Sequence, residues 1–277
     1  VASLGMGEYF LHKEMRPLGR GLIGAGIMIL YAALFAAYSP DVYKEPVIES
    51  QTLTFALMCV VTITGMTLAI RHNAIPIAFL AILGGMLTPV LVSTGTDARD
   101  PLFSYLLLLD LGVLAVAFYK KWRALDILAF GGTVLLFLGW YYKFGINAPI
   151  APPLAWLAAF WSVFAIIPVA HHIRHKTPLT VERIALSLMN ATYGFVLASH
   201  ILSDRSDDLA WVALIMSGAY LTMGVLIKLR TKDAKATLAT LSLSMMFLMI
   251  FPPLHFGLNG ITMAWLAEAV VLVYLGF

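Results

Sequence analysis

Charge is scarce in this chain. Asp, Glu, Lys and Arg make up 12% of its 277 residues, against about 25% in soluble domains. Hydrophobic residues reach 61%. A soluble protein cannot hide that much apolar surface, because surface area grows too quickly with chain size. The same figures exclude an intrinsically disordered chain, and the lack of clustered basic charge excludes a nucleic-acid-binding domain. Cysteine is nearly absent. Cys59 stands alone, which excludes an intrachain disulfide and any zinc or iron–sulfur site built on cysteines; in its apolar run it reads as a small buried hydrophobe. Also missing are a Gly-rich phosphate loop, Gly-x-Ser-x-Gly, His-Glu-x-x-His and any nucleotide-binding signature. What remains is an all-α, polytopic integral membrane protein.

A membrane helix needs about 20 mostly apolar residues. Ten segments qualify: 21–38, 52–70, 74–93, 101–119, 124–142, 153–170, 180–203, 209–228, 236–255 and 260–277. Lipid offers backbone groups no water, so such runs must be helices or a closed barrel, and the alternation a barrel requires is absent. The short connections make successive helices antiparallel neighbours, in serial hairpins. Residues 1–20 are expected to form a cytoplasmic interfacial segment, with residues 8–20 as an amphipathic surface helix. The valine start, and an end inside an apolar run, suggest a fragment of a longer chain. No cleavable signal peptide is visible in the opening residues.

The connections alternate in charge. Lys13, Arg16 and Arg20, Arg71, Lys120, Lys121 and Arg123, Arg174, Lys176 and Arg183, and Lys228, Arg230, Lys232 and Lys235 fall on one side. Only Lys44, Arg99, Lys143 and Arg205 fall on the other, which collects Asp41, Glu45, Glu49, Asp97, Asp100, Asp204, Asp207 and Asp208. The positive-inside rule then makes the N-terminus cytoplasmic and, with ten spans, residue 277 as well.

Charge inside a bilayer is costly, which singles out Asp110 in the fourth span and Glu268 in the tenth. Counting at ~1.5 Å per residue from the span starts puts both roughly 12–14 Å below the outer surface, and Gly84 and Gly85 near the same depth. This layer is either a polar site for a proton, a cation or a substrate group, or two acids that only fix helix packing. Gly84-Gly85 permits close helix approach. Thr88-Pro89 predicts a kink or a broken helix end of the kind that lines transporter sites. Asn190 and Tyr193 are polar groups within the seventh span, suited to interhelical hydrogen bonds. His171, His172, Arg174, His175 and Lys176 read as an interfacial basic cluster touching lipid headgroups. His200 and His255 lack the second ligand type that a metal or haem site needs, so no metal or cofactor is expected. Asp126, three residues after Arg123, reads as half of a local ion pair.

Several runs resemble a large bacterial family described only as predicted membrane proteins with a domain of unknown function. They include Gly21-Leu-Ile-Gly-Ala-Gly, Leu83-Gly-Gly-Met-Leu-Thr-Pro-Val-Leu-Val-Ser-Thr-Gly95, Tyr105-Leu-Leu-Leu-Leu-Asp-Leu-Gly-Val-Leu-Ala115, Trp122-Arg-Ala-Leu-Asp126 and Ala264-Trp-Leu-Ala-Glu268. The resemblance implies a longer chain with twenty or more spans and a cytoplasmic extension, and brings no established activity.

The leading expectation is a bacterial inner-membrane protein that moves or holds a small or lipidic solute without enzymatic chemistry, with Asp110 and Glu268 as buried polar elements. A structural or accessory subunit is the first alternative. A lipid-linked transferase using Asp97, Asp100, Asp204, Asp207 or Asp208 is the second. The expected partners are membrane lipids, together with other membrane subunits or further spans of the same chain, and no nucleic acid.

Overall fold

In lipid a backbone amide must find its acceptor within its own segment, and helices provide that. The computed structural model of the protein describes residues 2–39, 46–93, 95–175, 180–231, 233–256 and 258–275. Among them the regular structure is entirely helical: α1 (Ala2–His12), α2 (Arg16–Tyr38), α3 (Gln51–Arg71), α4 (Ile75–Leu91), α5 (Arg99–Tyr119), α6 (Arg123–Trp140), α7 (Ala151–His175), α8 (Val181–Ile201), α9 (Ser206–Thr231), α10 (Ala234–His255) and α11 (Leu258–Leu275). A π-helical turn, Tyr141–Gly145, prolongs α6.

Eight of these helices are long and apolar enough to cross a membrane, α6 together with its π turn counting as one. Of the ten intervals expected from hydropathy, the other two hold shorter apolar helices: α4, with 17 residues, and the 260–270 part of α11. At ~1.5 Å per residue α4 rises about 26 Å, slightly less than the ~30 Å hydrocarbon layer. Local chemistry sets several boundaries. Proline opens the first turn of α2 and of α4, where its missing N–H costs nothing. Ser50 Oγ accepts from Leu53 N at 3.3 Å at the start of α3, and Asp233 Oδ1 accepts from Ala236 N at 3.2 Å at the start of α10.

The N-terminal segment departs from expectation. No single helix covers 8–20. The chain breaks at residues 13–15, where Glu14 adopts a left-handed φ of 61°, and α2 then begins at Arg16 with Pro17 in its first turn. α1 packs lengthwise on the first half of α2. Ser3 Oγ donates to Leu22 O at 2.7 Å, and a Cβ on Gly7 would lie 2.9 Å from Gly19 O. Glu8 closes the arrangement through a 2.6 Å bond to His72 Nε2. Residues that suited a surface helix are thus tied into a hairpin with the first span.

The chain divides into two compact units. The first comprises Val1–Val113 and Trp122–Trp140, the second Leu114–Lys121 and Tyr141–Phe277. In the first, Ile23, Ile27, Met58, Ile77, Phe103, Leu106 and Phe137 are fully buried, with Phe103 stacked on Phe137 at 5.0 Å. In the second, Ala191, Met216, Tyr220, Leu243 and Phe247 form a core on which Trp161 and Phe195 pack. Large side chains such as Ile63 and Leu135 in the first unit and Ile215 and Leu229 in the second are exposed, as lipid-facing positions require.

Candidate functional site

Asp110 lies within α5, and its side chain is 0% exposed. Thr133 Oγ1, on α6, donates to Asp110 Oδ2 at 2.8 Å. Oδ1 has no hydrogen-bond partner among the described residues. An ionised carboxylate buried this way is costly unless a proton or a cation neutralises it. The site therefore has the chemistry of a titratable or cation-accepting group, with one oxygen fixed and one available.

The neighbouring helix face is built on α4. Gly84 and Gly85 remove the two side chains that would stand between helices: a Cβ on Gly84 would fall within the Tyr31 ring of α2, and one on Gly85 would lie 2.9 Å from Leu109 Cδ1 and from Thr62 Cγ2. Tyr31 Oη in turn pairs with Thr62 Oγ1 of α3 at 2.6 Å and donates to Ala81 O at 3.3 Å. Pro89 lies inside α4 and has no N–H for the carbonyl four residues back, which is Gly85 O. Tyr105 of α5 supplies the missing donor, its hydroxyl reaching Gly85 O at 2.9 Å, while Thr88 Oγ1 donates to Gly84 O at 2.9 Å. The Gly-Gly-x-x-Thr-Pro run thus makes a proline break whose freed carbonyl is capped from the adjacent helix, five residues before Asp110.

In the second unit Asn190 Nδ2 donates to Trp161 O at 3.0 Å, an interhelical bond between α8 and α7. Tyr193 is half-buried on α8. Glu268 lies on α11 and is half-buried, unlike Asp110. The basic cluster divides. Arg174 and His175 are exposed, with the Arg174 guanidinium over the Tyr119 ring at 4.4 Å and His175 Nε2 3.1 Å from Phe118 O. His172 turns inward and is 2% exposed, so it is no headgroup contact here. Helical spacing puts it one hundred degrees from its neighbours, on the packed face of α7. His171 lies in the α7 backbone, and Lys176 falls outside the described residues.

The loop acids are engaged locally. Asp97 Oδ1 accepts from Trp140 Nε1 at 2.8 Å, Arg99 pairs with Asp100 at 3.0 Å, and Arg205 pairs with Asp208 at 3.4 Å. His255 Nδ1 meets Asp207 at 3.2 Å, whereas His200 packs edge-on to Tyr141. No group of three or more His, Cys, Asp or Glu able to hold a metal occurs among the described residues. Sequence reasoning passed over Thr133 and Tyr105, the partners of Asp110 and Gly85. A signal for the second existed: a mid-helix proline always frees a carbonyl, and a tyrosine early in the next helix can reach it. Asp126, read as half of a local ion pair, is buried on α6 at 3% exposure.

No curated protein and no solved structure matches the chain. Residues 1–277 match throughout the family described as Predicted membrane protein (DUF2339), and the chain belongs to that family.

Proposed function

We propose that this protein is a multi-pass protein of the bacterial inner membrane, N-terminus cytoplasmic, that binds or moves a small or lipidic solute without enzymatic chemistry. Asp110 is its buried polar element. One observation carries the reading: a fully buried carboxyl in a membrane-length helix, with Oδ2 bonded to Thr133 and Oδ1 without a partner among the described residues. A carboxyl that served packing alone would gain by satisfying both oxygens, or by being replaced with an apolar side chain. The proline break beside it, capped by Tyr105, gives the same region a segment able to change conformation without stranding its backbone.

The test is ligand-linked stability. Anything that binds the folded state raises its thermal midpoint. Purified wild type and Asp110→Asn are compared against protons (a pH series), Na+, K+ and vesicles of bacterial phospholipid. The reading expects at least one probe to raise the wild-type midpoint while leaving a monodisperse Asp110→Asn unmoved. Identical responses of the two proteins to every probe would overturn it.

Glu268 favours the accessory-subunit reading as well. A half-exposed glutamate on an apolar helix, flanked by exposed Met263, Trp265 and Leu266, suits a face covered by a further membrane segment or subunit.

A further inference from the structure

Asp110 lies between two unlike ends of the α5–α6 seam. The two helices run antiparallel, as the pairings Phe103–Phe137 and Asp110–Thr133 show, so moving toward the start of α5 is moving toward the end of α6. In that direction Phe103, two turns from Asp110, stacks on Phe137, one turn from Thr133, at 5.0 Å. Trp140 closes edge-on against Phe103 at 5.0 Å, and its indole N–H is pinned by Asp97 at 2.8 Å. All three rings are buried. In the opposite direction the helices carry small side chains, Val113 on α5 and Ala129 on α6, both buried. Beyond Ala129 comes Asp126, buried on the same face of α6 as Thr133 and about 10 Å from it along the axis. One end is a pinned aromatic plug; the other leads to a second buried carboxyl, at the end that the proposed topology makes cytoplasmic.

What Asp110 can take is limited by the oxygens around it. A metal cation must exchange its water shell for several oxygen ligands. Hydrogen bonding brings Asp110 the Thr133 hydroxyl and no second partner among the described residues, and Leu106, Val113 and Ala129, each one turn away along the two helices, are apolar. A proton needs one lone pair and no room, and Oδ1 has that lone pair. Within this unit α3, α4 and α6 pack on α5. Their ionisable groups are Cys59 and Arg71 on α3 and Arg123 and Asp126 on α6, with none on α4; none of them bonds to Asp110. Building on the Asp110 reading above, we infer that Asp110 binds a proton on Oδ1 and no metal cation, and that this proton exchanges through the Asp126 end of the seam. Uptake turns a carboxylate into a neutral acid: Oδ1 takes the proton, and Oδ2 stays the carbonyl oxygen that accepts from Thr133. Release leaves a charge in a dry site, so it requires the seam to admit water. Asp126 positions that water and passes the proton on.

Infrared spectra of the full chain in lipid test it, the Asp110 band being identified by its loss in Asp110→Asn. At neutral pH the band should be that of a protonated acid, and replacing choline by Na+ or K+ at constant ionic strength should leave it in place. On transfer to heavy water its conversion to the deuterated acid should slow by about tenfold or more in Asp126→Asn and recover in Asp126→Glu. Trp140→Phe removes the bond to Asp97 and loosens the plug, so it should speed the conversion; this arm decides the route even where Asp126→Asn does not fold. A rate unchanged in a folded Asp126→Asn, or not raised by Trp140→Phe, overturns the route. An ionised carboxylate at neutral pH, or a band shifted by Na+ or K+, overturns the proton as ligand while Asp110 stays a binding element. A band fixed under pH, cations and heavy water alike overturns both this inference and the reading on which it rests.

Discussion

Replacing Gly84 by alanine adds one methyl group, and the structure says where it goes. The new Cβ would fall within the Tyr31 ring, 2.6 Å from both Cδ2 and Cζ. Tyr31 cannot simply swing aside, because it is 5% exposed and its hydroxyl is held by Thr62 at 2.6 Å. Overpacking of this kind costs about 1–3 kcal/mol. Loss of the Tyr31–Thr62 bond adds about 1 kcal/mol. Gly131→Ala is the matched control: it too is inside a helix, nothing lies within 4 Å of its added Cβ, and helix propensity alone favours alanine by up to about 1 kcal/mol. Thermal unfolding of purified protein, followed by tryptophan fluorescence, should show Gly84→Ala clearly destabilised and Gly131→Ala unchanged or improved. Removing the obstacle with Tyr31→Ala should shrink the penalty of Gly84→Ala. Equal behaviour of the two alanine variants would refute the packing that positions α4 against α2.

Thr133→Val removes the donor to Asp110 and leaves both carboxyl oxygens unpartnered, so it should cost about 1–3 kcal/mol, whereas Asp110→Asn retains an acceptor for Thr133 and should cost less; denaturation midpoints rank the two. Tyr105→Phe should cost about 1 kcal/mol by uncapping Gly85 O, and markedly less in a Pro89→Ala background, where residue 89 regains the N–H that fills that carbonyl. Cysteine substitutions at Lys120 and Lys228, made in a Cys59→Ser background, should react with an impermeant thiol reagent only from the cytoplasmic face, and one at Asp204 only from the other; labelling of 120 and 228 from opposite faces would undo the proposed topology.

Apolar runs made the helices readable, because in lipid a run of that length has no other way to satisfy its backbone. The same uniformity hid which face of each helix is inside. Within the leucine run of α5, Leu106 is 0% exposed and Leu108 70%, yet the letters are identical. Gly84-Gly85 announced a close approach without naming Tyr31 as what approaches. Asp110 stood out by its charge, but Thr133 is one of many membrane threonines, most of which bond back to their own helix, as Thr64 and Thr67 do. The hairpin of α1 with α2 was missed for a further reason. Mixed charged and apolar residues suit a surface helix and a tethered one equally, and what separates them is long-range contact such as the Glu8–His72 bond, across sixty-four positions, and the Ser3–Leu22 bond.

The most direct test of the central claim is the infrared difference spectrum of the full protein in lipid, recorded across a pH series and on addition of Na+ or K+, with Asp110→Asn to assign the carboxyl band. The account predicts a carboxyl signal that vanishes in Asp110→Asn and changes in the wild type with protonation or with one of these cations. An Asp110 band that stays fixed through every one of those changes would show a sealed packing group and contradict the account.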